Sequence, residues 1–156
     1  MKIFKPTVIA AIAILLSGCV KRELPPVEVV DEGFGIVEES SPESRYLDVT
    51  KNIPLRVGTR YGYVIYLRTN KDAVHYTEVL ELAGPAQWGV NENEKFVISP
   101  DKKKATVERE RHNEGDPFSI SEVWRVSEGD PAGRARLTVT IEGKIVRTFD
   151  FDLVNP

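Results

Sequence analysis

From about residue 46 onward, apolar and β-branched runs alternate with clusters of Gly, Pro, Asn, Asp and Ser. The spacing of roughly eight to twelve residues is that of short strands joined by turns. No stretch keeps the 3.6-residue period of an amphipathic helix. The clearest period-two signal lies at the end of the chain. Ala135, Leu137, Val139 and Ile141 fall on one side, and Arg136, Thr138 and Thr140 on the other. Glu142-Gly143 supplies a tight turn. On the return strand Ile145, Phe149, Phe151 and Leu153 share a face opposite Thr148, Asp150 and Asp152, with Arg147 the one misfit on the apolar side. The pattern predicts a terminal hairpin with one buried face.

Upstream, Gly62, Val64 and Tyr66 alternate with Tyr61, Tyr63, Ile65 and Leu67, so both faces are largely apolar or aromatic. This predicts a central strand covered on both sides. Further strands are predicted near Tyr76 to Leu82, Phe96 to Ser99, Ala105 to Arg111 and Phe118 to Val126, and a first one at Phe34 to Val37. The tetrapeptide Glu-Gly-Asp-Pro at Glu114 to Pro117 and Glu128 to Pro131 reads as two turns, too short a match for an internal repeat. The fold class expected is all-β: an antiparallel sandwich, immunoglobulin-like, of about seven to nine strands.

The first residues carry a different pattern. Lys2 and Lys5 precede an uncharged run of nine residues, Val8 to Leu16, which leads into Leu16-Ser17-Gly18-Cys19. The run is far below the roughly 20 residues of a spanning helix and has the layout of an export signal. The tetrapeptide resembles the lipobox of bacterial lipoproteins, with a match at every position. The resemblance implies cleavage between Gly18 and Cys19 and acylation of Cys19 by at least two chains. At about 0.8 kcal/mol per buried methylene, two chains hold a protein on a membrane where one does not. Val20, in place of an aspartate, is what the resemblance associates with the outer membrane of a two-membrane cell. The organisation expected is a signal peptide over 1–18, a lipid-anchored tether over 19–32 and a sandwich domain over 33–156. Pro25-Pro26 favours an extended tether, about 30 Å for roughly ten residues.

Composition narrows the partners. The chain has 21 basic and 24 acidic side chains, and two of the lysines lie in the leader. The exported part is therefore more acidic than the whole, which argues against nucleic acid. Cys19 is the only cysteine, so no disulfide is expected within the domain. His75 and His112 are the only histidines, and neither has a further histidine or a cysteine at ligand spacing. No serine elbow or zinc-protease motif is present. No catalytic residue, metal site or cofactor is expected.

Binding residues are easier to nominate. Arg60, Tyr61, Tyr63, Tyr66 and Arg68 concentrate aromatic and cationic groups. Tyr61 and Tyr63 are expected in the core, leaving Tyr66 and Arg68 as contact candidates. Trp88, in the turn-rich Gly84 to Gly89 loop, is the leading contact candidate, although the favoured placement folds it back over the end of the sandwich. The charged strip from Lys102 to Arg111 reads as an edge strand charged against sheet-to-sheet association. Asp150 and Asp152, two apart on a strand, read as a solvated outer face rather than a calcium site.

The segment Ile53-Pro54-Leu55-Arg56-x-Gly58-x-x-Tyr61-Gly62, preceded by Gly33-Phe34-Gly35-Ile36 and followed by Gly84-Pro85, resembles a family of uncharacterised bacterial all-β domains. That resemblance implies an exported all-β domain and transfers no functional residue. The function expected is a noncatalytic module that binds a protein or envelope polymer from the membrane. A small-ligand or glycan binder is the alternative, and a concave pocket lined by Trp88 and tyrosines would favour it. An envelope hydrolase would need a cleft with paired carboxylates of raised pKa.

Overall fold

The computed structural model describes residues 27–41, 44–89, 95–115 and 118–156, with backbone alone at 39–41 and 44–46. The leader, the lipobox and Cys19 lie outside the described residues, as do Asp116 and Pro117 of the first Glu-Gly-Asp-Pro. Among the described residues every regular element is a strand: β1 (Val27–Ser41), β2 (Ser44–Val49), β3 (Asn52–Pro54), β4 (Arg60–Thr69), β5 (Ala73–Glu81), β6 (Lys95–Ile98), β7 (Lys104–His112), β8 (Phe118–Arg125), β9 (Gly133–Ile141) and β10 (Ile145–Val154). One sheet has the order β2-β1-β4-β8 and the other β3-β10-β9-β5-β7-β6. All pairings are antiparallel except that of β3 with β10.

The core forms where the period-two pattern of each strand turns apolar positions inward. Ala135, Leu137, Val139 and Ile141 are fully buried on β9, and Phe151 and Leu153 on β10. Opposite them β4 contributes Tyr61, Tyr63, Ile65 and Leu67, and β8 Phe118 and Ile120. Phe34 packs against Phe149 and Phe151 with centroids 5.5 and 4.8 Å apart, and Tyr63 stacks on Phe149 at 5.9 Å. These rings join β1 and β4 to β10 across the two sheets.

The hairpin turn is as anticipated, and its chemistry adds something. Glu142 and Gly143 both have positive φ, 53° and 64°, the conformation of tight hairpin turns. A glutamate accepts this because its side chain is engaged: Oε1 takes the His75 N–H at 2.9 Å and Oε2 the Lys71 ammonium. These bonds hold its carboxyl below the usual range, with the Lys71 bond the largest cause.

Four expectations need correction. The stretch 27–32, read as the end of the tether, is the start of β1, paired with β4 from Val27 to Thr69 onward. A register shift between Val29 and Asp31 leaves Val30 pointing outward and breaks the alternation that would have revealed the strand. Strand β4 is central to its sheet, but its outer face is only partly covered among the described residues: Val64 is half-buried, and Tyr66 and Arg68 are exposed. Strand β7 is second from the edge, because β6 pairs with it over Ala105 to Glu108. Among the described residues the strands number ten, against the seven to nine expected, since β2 and β3 are short and carry little apolar signal.

The misfit at Arg147 also has its explanation. It occupies an inward register position on β10 and reaches across the sandwich to Glu32 of β1, Nε to Oε2 at 2.6 Å. Each charge sits on an otherwise apolar face, and each neutralises the other.

Candidate functional site

The sandwich opens at the flank where β8 ends one sheet and β6 the other. A cleft of about 360 Å³ lies there. Its walls come from both sheets and from the loop after β5: Tyr61, Leu80 and Leu82 below, Trp88, Phe96 and Trp124 around them. Trp88 meets Trp124 edge-to-face at 6.4 Å, and Phe96 lies 6.3 Å from Trp124. The Trp88 indole N–H donates to the Lys102 carbonyl at 2.7 Å, which fixes the loop against the turn before β7. Polar groups share the same walls, namely Gln87, Arg109, Glu122, Arg125 and Asp130.

Behind the cleft is a buried polar network. Glu78 on β5 has no exposed surface. Its Oε1 accepts from the Tyr63 hydroxyl at 2.8 Å and from Arg109 Nε at 3.2 Å. Arg109 Nε also lies 3.7 Å from Glu122 Oε1, which accepts the Tyr76 hydroxyl at 2.8 Å. The Trp124 indole N–H approaches Glu78 closely enough to favour its charged form, yet neither that N–H nor Glu78 Oε2 makes a hydrogen bond of normal geometry.

The electrostatics follow from this placement. Burial pushes the Glu78 carboxyl up to about 7, against the lowering effect of Arg109 and Tyr63. Burial also raises the Tyr63 and Tyr76 hydroxyls well above their ordinary value, helped by Glu78 and Glu122 respectively, so both remain donors. Asp130, at the rim, is raised by burial and keeps one hydrogen bond from the Ser127 N–H at 2.8 Å.

The nominated binding residues divide. Trp88 is half-buried in the cleft wall, so it both caps the sandwich and faces the opening. Tyr66 and Arg68 stand on the outer face of the other sheet, where Arg68 pairs with Glu28 at 2.9 Å. They share no site with Trp88. Tyr61 and Tyr63 are buried, as their register implies. On the far side of the six-stranded sheet Asp150 is held by Arg136, at 2.7 Å from Nε and 3.3 Å from Nη2, which lowers its pKa. Both histidines lean on Glu110, His75 at 3.1 Å and His112 at 3.3 Å, and no larger group of potential metal ligands gathers among the described residues.

Reading the sequence missed Glu78, Arg109 and Glu122. Their signal was present: Val74-x-Tyr76-x-Glu78-x-Leu80, Ala105-x-Val107-x-Arg109 and Phe118-x-Ile120-x-Glu122-x-Trp124 each place one charge in the inward register of an apolar strand face. The carboxylate pair demanded by a hydrolase is therefore present in part. Glu78, however, is sealed behind Arg109 and Trp124 and offers no surface to a substrate.

Comparison with known proteins supports the architecture. No curated protein matches the chain in sequence. An immunoglobulin-like protein from Pseudomonas aeruginosa is similar in structure, with a TM-score of 0.56 and 19% identity over 82% of this chain and 96% of that one. At that identity the likeness concerns the fold alone. The family model of the PM0630 beta sandwich domain matches residues 33–154, most of the chain, and the chain belongs to that family.

Proposed function

We propose that the protein is a noncatalytic binding module, held on the periplasmic face of an outer membrane by lipid on Cys19, and that it takes its partner in the cleft beside β8. The observation that carries this reading is the concave aromatic surface formed by Trp88, Phe96 and Trp124 over an apolar floor. Concave sites with a few convergent polar groups are the usual form of binding sites on such scaffolds. A cleft of this size favours a small ligand or a segment of polymer over the flat patch of a folded partner. The outer face with Tyr66 and Arg68 is a weaker candidate, since Arg68 is already paired with Glu28. The seclusion of Glu78 supports binding without turnover.

Two variants test the two halves of this reading. Cys19→Ser is expected to abolish fatty-acid labelling and to leave the precursor uncleaved; normal processing of that variant would remove the anchor from the account. Trp88→Ala is expected to keep the fold, because its ring is only half-buried, and to lose the species crosslinked to the wild-type chain in intact cells. An unchanged crosslinking profile would contradict the assignment of the cleft.

A further inference from the structure

We propose that the ligand of the cleft is a neutral saccharide segment, an inference that rests on the reading of the cleft as the binding site. Three features of the walls converge on this chemistry. Aromatic surface from Trp88, Phe96 and Trp124 suits the apolar C–H faces of sugar rings. Around it stand planar groups able to hold vicinal hydroxyls in pairs: the Gln87 amide, the Arg109 and Arg125 guanidinium groups and the carboxylates of Glu122 and Asp130. Two cations face two anions, so the walls give no net attraction to a ligand of either charge, and neutral hydroxyls with both donor and acceptor capacity fit them best. The volume, about 360 Å³, falls at the small end of the roughly 300–1,000 Å³ of small-molecule sites.

An extended peptide adding to the edge of β8 is the main competitor. Against it stands Glu122, which points inward from an edge strand beside the opening. Inward charges are a device that discourages strand addition. Glu78 and Glu122 hold the Arg109 guanidinium in place between the floor and the wall.

The full chain in detergent is titrated with tetramers of N-acetylglucosamine and of glucose, and with oligogalacturonate as the anionic contrast, followed by tryptophan fluorescence and calorimetry. Saturable binding of a neutral tetramer, with none of oligogalacturonate, is the expected result. Affinity is expected to fall tenfold or more in Trp88→Ala and in Glu122→Gln. Thermal melting accompanies each variant, and Gln87→Ala, an exposed loop residue, tests the site without touching the core. If no neutral tetramer binds at millimolar concentration while Trp88→Ala still loses its crosslinked species, the saccharide class is overturned and the cleft survives. If the crosslinking profile is unchanged as well, both fall. Saturable binding of an extended peptide alone overturns the ligand class, and release of reducing ends from a tetramer overturns its noncatalytic character.

Discussion

The Gly62→Ala chain is expected to lose about 4 kcal/mol or more, a large share of the roughly 5–15 kcal/mol by which a domain is ordinarily stable. Gly62 lies on β4 opposite Val123 of β8. A Cβ at this position would stand 2.0 Å from the Glu122 carbonyl oxygen and 3.2 Å from the Val123 Cα. The obstacle is backbone, so no side-chain rotation relieves it, and β8 must move off β4. That movement withdraws Phe118 and Ile120 from the core and Glu122 and Trp124 from the cleft. Gly35→Ala meets the Asp48 carbonyl oxygen at 1.9 Å and displaces β2 instead. Gly33→Ala is the control. Its Cβ would lie 3.0 Å from one methyl of Leu47, which can turn aside, for a cost of about 1 kcal/mol or less. Urea denaturation followed by circular dichroism ranks the three. A Gly62→Ala chain within 1 kcal/mol of the wild type would show that β8 does not approach β4 in this way.

Such a close approach leaves a weak trace in the sequence, because a glycine inside a strand has several explanations. The legible parts are those where one strand carries its own evidence. The hairpin of β9 and β10 is read directly from alternation and a Glu-Gly turn, and β5 to β8 from bounded apolar runs. The sequence shows only the second half of β1, because its first half mixes valines with acids and carries a register shift at Val30. The edge reading of β7 failed for a related reason. Charge alternation along a strand reports which side chains meet solvent, and does not show whether another strand, here β6, pairs on the far side. The cleft was illegible because its walls come from β4 through β8 and two connecting segments, and only the folded arrangement brings them together. Its polar network was legible in principle. Glu32, Glu78, Arg109, Glu122 and Arg147 all occupy inward register positions, and all are paired with opposite charge in the folded chain. A single charge on an apolar face reads as an exception. Five of them on five strands, of both signs, read as two ionic bridges across a sandwich.

The larger of these bridges makes stability depend on pH. In the folded chain burial holds the Glu78 carboxyl at about 7, whereas its ordinary value in the unfolded chain is 4.5. Between those values the folded state retains a proton that the unfolded state has released. The contribution of Glu78 is therefore complete below 4.5, declines as pH rises through the window, and is gone above about 7. A difference of this size corresponds to roughly 3 kcal/mol. The groups facing the carboxyl are Tyr63 on β4, Arg109 on β7, and Glu122 and Trp124 on β8. The tyrosine stays protonated and the arginine stays charged across the window. Glu142 and Asp150, whose values are lowered, act in the opposite sense and only at more acid pH. Urea titrations at pH 5 and pH 8 are expected to show the wild type less stable at pH 8. Glu78→Gln keeps the shape of the protonated side chain and is expected to flatten the slope, leaving the variant more stable than the wild type at pH 8. Because the Trp124 N–H lies against this carboxyl, Trp124 emission in a Trp88→Phe background should titrate near pH 7 and cease to do so when Glu78→Gln is added. Equal slopes in the wild type and Glu78→Gln would place the titrating group elsewhere and uncouple the cleft wall from the buried carboxyl.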